Sequence, residues 1–131
     1  MAKKTGLKLP PQNLEAEQSV LGALLIDRNA IIQVADILSH EDFYHPQNAE
    51  IYQTVLKLFE KRKPIDLLSV GTDLKEAGVF KDVGGSAYLA KLVDLVPSAA
   101  HVGHYAKMVK EKKILRDLIR ASAEISEKAF H

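Results

Sequence analysis

Apolar residues recur at helical intervals in successive stretches of this chain, each bounded by residues that start or stop helices. In the first, Leu14, Leu21, Leu24 and Leu25 follow the stiff pair Pro10-Pro11, with Asn13 as candidate cap and Glu15 and Glu17 in the first turn, where the helix dipole favours acids. Gly22 costs about 1 kcal/mol against Ala inside a helix, so it predicts another helix crossing close to the backbone. After a turn at Asp27-Arg28-Asn29, a second helix is predicted on the stripe Ile31, Val34, Ala35 and Leu38. The segment from Ser39 to Pro46 is polar, with Phe43 and Tyr44 as core plugs, and Pro46 suits a first helical position. Ile51, Tyr52, Val55, Leu58 and Phe59 mark a third helix reaching about Lys61, where Lys61, Arg62 and Lys63 complement the dipole.

Pro64 blocks continuation, Asp66 is the next cap, and Leu67, Val70, Leu74 and Ala77 line a fourth helix that Gly78 closes. Val79 and Phe80 pack across a connection that ends in the permissive pair Gly84-Gly85. Ser86 then caps a fifth helix faced by Leu89, Leu92, Val93 and Val96. Pro97 ends it, Ser98 is the candidate cap of the last helix, and no breaker follows Gly103 until about Ala129. Roughly thirty residues make a rod of about 45 Å, longer than a domain of this size needs.

The rod carries two apolar surfaces. Val102, Tyr105, Ala106 and Val109 can pack on the body, whereas Lys110-Glu111-Lys112-Lys113 is charged all round and describes a helix passing through solvent. Beyond it, Ile114, Leu115, Leu118, Ile119, Ala121, Ile125 and Ala129 cover a face too broad for a lone exposed helix. Something outside this stretch must bury it. The pattern predicts an all-α fold: a compact orthogonal bundle of five or six short helices, followed by one long protruding helix. Residues 1–11 read as a flexible tail, 12–97 as the globular body and 98–131 as the long helix.

Composition narrows the functions. The 131 residues are 47% hydrophobic, and no apolar run has the length of a membrane span. Eighteen basic against seventeen acidic residues leave a net charge of +1, a poor footprint for gripping phosphates. Without cysteine there is neither a disulfide nor a thiolate metal site, and the N-terminus lacks a secretion signal, so a cytoplasmic location is expected. His101 and His104 share a helix face but lack further ligands at metal-binding spacing. Gly84-Gly85 is followed by no Gly-Lys-Ser/Thr, and Ser19, Ser86 and Ser122 have no neighbouring His-and-acid pattern. No catalytic residue, cofactor site or metal site is predicted. The alternative is a free-standing helical DNA-binding module, with Lys57, Lys61, Arg62 and Lys63 on phosphates; against it, the cations sit where capping needs them and aromatics are only 6%.

In chain order, PPQNLEAEQSVLGALLID, Asp42-Phe43-Tyr44, Pro64-Ile65-Asp66-Leu67, Gly84 to Leu89, Pro97 to Ala100, Tyr105-Ala106 and Leu115 to Ile119 resemble the N-terminal domain of the bacterial replicative DNA helicases of the DnaB type. The resemblance spans nearly the whole chain from Leu7. It implies an assembly and primase-docking domain of a hexameric helicase, a trimer of dimers built through helical hairpins. The long helix would be the first arm of such a hairpin, with the second arm beyond His131. ATP hydrolysis with Mg and most DNA contact would belong to a C-terminal domain, so no enzyme activity is expected of these 131 residues. By the same resemblance Glu15, Tyr88, Ile119 and Ile125 would couple the helicase to the C-terminal domain of primase, with Leu115 and Leu118 in the same primase or self-assembly interface. Two positions depart from the family: Arg62 stands where it often has glycine, and His101 near where it has asparagine.

Overall fold

Asn13 opens the first helix as its residue type suggests, standing in extended backbone with its side chain accepting from Ala16 N at 2.9 Å. A computed structural model of the chain describes residues 9–131, so positions 1–8 of the expected tail lie outside the described residues. Among these, the order is α1 (Leu14–Ile26), α2 (Ala30–Val34), a single 3-10 turn (His40–Asp42), α3 (Pro46–Glu60), α4 (Leu67–Glu76), α5 (Gly85–Leu95) and α6 (Val102–Ala129), with no strand. Five short helices and one long one make the expected all-α fold.

α1 is the pillar. It packs against α3, α5 and α6, and every residue from Val20 to Leu25 is buried. Gly22 shows why so many neighbours fit: a Cβ there would overlap the carbonyl oxygen of Leu92 on α5. The close crossing that this glycine predicts is therefore α1 over α5. α2 packs on α6, α3 on α4, and α4 on α5, closing a core around Leu21, Leu24, Ile31, Ile51, Tyr52, Leu58, Leu74 and Leu92.

Pro46 is the first residue of α3, and Asp66 caps α4 by accepting from Ser69 N at 2.8 Å. α3 and α4 end alike. Lys63 N reaches Leu58 O at 2.9 Å and Arg62 N reaches Phe59 O at 3.0 Å; Val79 N reaches Leu74 O at 3.1 Å and Gly78 N reaches Lys75 O at 3.0 Å. Both are Schellman closures, which require a left-handed residue just past the helix. Gly78 fills that position at φ 77°, and Arg62 fills the other at φ 57°. The glycine expected by resemblance at Arg62 is thus a conformational requirement that the arginine meets at a cost.

Several expected details change in three dimensions. The second helix stops at Val34 rather than running through Leu38, because the chain must turn there toward the 3-10 segment. Leu38 is buried regardless, and its carbonyl accepts the Tyr52 hydroxyl at 3.0 Å. Ser86 lies inside α5, whose cap position belongs to Gly84 at φ 113°. Ser98 bonds only Ala100 N, at 3.3 Å, and His101 takes the cap position of α6 without a side-chain bond. Leu14, Phe59 and Leu67, each on an apolar stripe of the sequence, are exposed at its edge.

Candidate functional site

The long helix begins within the core, with Val102, Ala106 and Val109 buried. The charged stretch that follows is not simply solvated. Lys110 Nζ pairs with the buried carboxylate of Asp42 at 3.1 Å, and that carboxylate also accepts from Ser39 N at 2.8 Å. Two turns further, Arg116 donates to Pro11 O at 2.8 Å and to Asp42 O at 2.9 Å, with its guanidinium 5.3 Å from the Tyr44 ring centre. Lys110 and Arg116 therefore strap the rod to the segment before α1 and to the 3-10 turn. Past Arg116 about thirteen more residues project, a reach of roughly 20 Å.

Along this projecting half, a pair of rows lies side by side at helical spacing: Ile114, Leu118, Ala121 and Ile125 in one, Leu115, Ile119, Ser122 and Ser126 in the next. Ile114, Leu115, Leu118, Ile119 and Ile125 are 43–69% exposed. Elsewhere on the arm, Asp117 Oδ1 binds Lys113 at 3.1 Å and Arg120 at 2.9 Å. The hydrogen bond from Lys113, with the charge of Arg120, holds the Asp117 carboxyl below its usual range. The arm is thus two-faced, polar and laced by ion pairs on one side and bare and apolar on the other.

Glu15 and Tyr88 sit elsewhere. Glu15 is exposed on the first turn of α1, at a shallow depression that Leu95, Tyr105 and Met108 also line. Tyr88 is half-buried on α5, but its hydroxyl is not left to solvent. It donates to Asn48 Oδ1 and accepts from Gln18 Nε2 at 3.2 Å. Asn48 Nδ2 in turn donates to Glu17 Oε1 at 2.9 Å, and Glu17 Oε2 accepts from Tyr44 N at 2.7 Å. Burial pushes the Tyr88 hydroxyl above its ordinary pKa, against its hydrogen bonds with Gln18 and Asn48, which pull it down. Leu115, Leu118, Ile119 and Ile125 share one face of the arm; among the described residues no hydrogen bond or ion pair joins that face to Glu15 or Tyr88.

Sequence reasoning misses this network. It gives Glu17 to the helix dipole, yet Glu17 is 1% exposed and ties α1 to the loop before α3. A signal is available: Glu17 precedes Val20, Leu21 and Leu24 by three, four and seven positions, and Asn48 precedes Ile51, Tyr52 and Val55 in the same way. A polar residue at the head of an apolar stripe is a buried group that needs partners. Asp42 and Arg116 carry no such mark, because their partners lie at Lys110, Pro11 and Tyr44.

Comparison with known proteins adds the lineage. Residues 9–111 match the DnaB-like helicase N terminal domain. Over 123 residues the chain is 39% identical to the replicative DNA helicase DnaB of Geobacillus stearothermophilus and 40% identical to the replicative DNA helicase DnaC of Bacillus subtilis strain 168. Each alignment covers 94% of this chain but 27% of the relative, so the chain spans about a quarter of their length. The N-terminal domain of the Mycobacterium tuberculosis DnaB helicase superposes with a TM-score of 0.90 at 38% identity, covering 94% of this chain and 89% of that one. The N-terminal domain of the Helicobacter pylori DnaB helicase, described together with its interactions with primase, superposes at 0.75 and 26% identity, covering 89% and 91%.

Proposed function

The chain belongs to the DnaB-like helicase N-terminal domain family, and from that premise we propose that it is the assembly and primase-docking module of a replicative, hexameric DNA helicase. The observation that carries this reading is the bare double row on the projecting half of α6, borne on a helix strapped to the body by Lys110 and Arg116. A rigid arm with an apolar face serves pairing with a like arm, as in a trimer of dimers, and presents side chains to a further partner. The H. pylori relative, described with its primase interactions, supports primase as that partner.

In this reading ATP and Mg are bound, and duplex DNA is unwound, by a C-terminal domain of the whole helicase. The module itself supplies geometry, and the protein works in the cytoplasm. Ile119 and Ile125 are the anchors toward the primase C-terminal domain; Leu115 and Leu118 serve the same surface or the pairing of arms. Glu15 is an exposed charge at the rim. Tyr88 acts through its position, since its hydroxyl joins α5 to α1 and α3. A free DNA-binding module is disfavoured by the net charge of +1 and by the apolar character of the arm.

Titration calorimetry of the complete helicase with the primase C-terminal domain tests the assignment. Ile119→Ala or Ile125→Ala weakens binding by about 1–3 kcal/mol, the range for a buried aliphatic anchor, with the melting of the body unchanged. Tyr88→Ala lowers both the affinity and the melting temperature. Unaltered affinity in both isoleucine variants, with the hexamer intact, would show that the rows serve self-assembly alone.

A further inference from the structure

A second surface lies away from the arm, in the groove between the α1–α2 turn and the α3–α4 connection, with a volume of about 760 Å³. Its floor is apolar: Ile26, Ile32 and Phe59 are 40%, 64% and 38% exposed. Ile32 stands out because Ala30, Ile31 and Val34 of the same five-residue helix are fully buried. The rim is basic, formed by Arg28, Arg62 and Lys63. Two carboxylates border it but are turned to local amides, Asp27 to Asn29 N at 2.9 Å and Asp66 to Ser69 N at 2.8 Å. Among the described residues none of the three rim cations forms an ion pair.

Arg62 adds an independent observation. Its φ of 57° is the left-handed conformation that the closure of α3 demands, and glycine meets that demand without strain. A non-glycine residue held in this conformation at the mouth of an apolar groove is local strain of the kind that clusters at ligand-binding sites.

We propose that this groove docks an acidic amphipathic helix of a partner protein, with two or three apolar side chains on Ile26, Ile32 and Phe59 and flanking carboxylates on Arg28, Arg62 and Lys63. Both halves of the surface favour this occupant. Carboxylates pair with a guanidinium by charge-assisted, bidentate hydrogen bonds, and an apolar floor takes the i, i+3, i+7 anchors of a helix. A nucleic-acid strand would satisfy the cations but leave the floor uncovered. A second copy offers the projecting face of α6, but Asp117 there is already paired with Lys113 and Arg120, and at helical spacing Glu124 and Glu127 lie on the side of the arm opposite its apolar rows, so that face brings no free carboxylates to a basic rim.

The test uses the full 131-residue chain, a fluorescent helical peptide with leucines at i, i+3 and i+7 flanked by glutamates, and the same peptide with lysines in their place. Anisotropy and amide shifts in NMR spectra should show the acidic peptide binding, with perturbations at 26–32 and 59–65 and none from the lysine peptide. Arg62→Gly should weaken binding about fivefold while the melting temperature rises, a split that a merely structural role would not produce. Ile32→Glu should abolish binding with melting unchanged. The proposal fails if the acidic peptide does not bind at millimolar concentration, or binds with no sensitivity to either variant. It fails equally if a single-stranded oligonucleotide shifts the same amides through Arg62, or if concentrating the chain alone does so.

Discussion

α1 and the projecting half of α6 are both rich in apolar side chains at helical spacing, and the molecule treats them in opposite ways. Around α1 the neighbours α3, α5 and α6 cover nearly the whole circumference, and even Glu17 and Gln18 are enclosed. Around residues 117–129 of α6, among the described residues, no other helix is packed, and Leu118, Ile119 and Ile125 remain more than half exposed. The difference lies in what holds each polar group. Glu17 survives burial because Tyr44 N and Asn48 Nδ2 satisfy it, whereas the polar groups of the arm pair with one another in water. Stability is concentrated in the first region, and the proposed role in association falls to the second, so substitutions in the two should move different observables.

The largest effect is expected at Glu17. Glu17→Ala leaves the amide of Tyr44 and the side chain of Asn48 without their acceptor in the core, and should lower unfolding free energy by about 4 kcal/mol in urea titrations. A loss below about 1 kcal/mol would mean that water reaches the network and that the two helices differ less than the burial of Glu17 implies.

Alkaline pH probes the same network from Tyr88. Its folded pKa is raised above the ordinary value of 10.0, chiefly by burial, and Tyr52 is raised for the same leading reason. A raised folded pKa contributes stability that is fully present below the unfolded value and lost as pH rises through the folded one. Stability should therefore decline from about pH 10 upward, and Tyr88→Phe should make the decline shallower while costing about 1 kcal/mol at neutral pH. An unchanged slope in that variant would assign the alkaline loss to Tyr52 alone.

Arg116 sits at the border between the two regions. Arg116→Ala removes the bonds to Pro11 O and Asp42 O and should cost about 1 kcal/mol. Its sharper signature is angular: spin labels on the body and near Glu124 should report a broader distance distribution. An unchanged distribution would leave Lys110 as the sufficient strap.

The smallest effect on folding belongs to the arm. Leu118→Glu should change thermal stability by less than about 0.5 kcal/mol, because it opens no cavity. The same substitution should reduce any concentration-dependent increase in mass seen by light scattering. A mass that does not depend on concentration in the parent chain, or is unaffected by Leu118→Glu, would remove self-association from the roles of this face.

Much of this is legible in the residues because it depends on neighbours in the chain. The caps at Asn13 and Asp66, the proline at the head of α3 and the stop at Gly78 are local in cause, Gly22 marks a close crossing by its own missing side chain, and the structure has each of them. So does the exposed double row, since a helix too apolar for solvent shows itself by spacing alone. What fails are the choices among local signals, where Ser86 and Ser98 look like caps but backbone direction gives those positions to Gly84 and His101.

The amino-acid pattern by itself therefore determined the helices, their order and the arm that outruns the body, because helical period and end signals act over a few residues. Only the tertiary structure decided which polar groups are bound inside: Glu17 through Tyr44 and Asn48, Tyr88 through Gln18 and Asn48, Asp42 through Lys110. Those partners are separated by 27 to 70 positions, and a hydrogen bond reaches only about 3 Å. It also decided that Arg62 must stand in a left-handed conformation beside an open apolar groove. Spacing reports what a segment tends to do, whereas a partner for a buried charge is chosen by where distant segments come to rest.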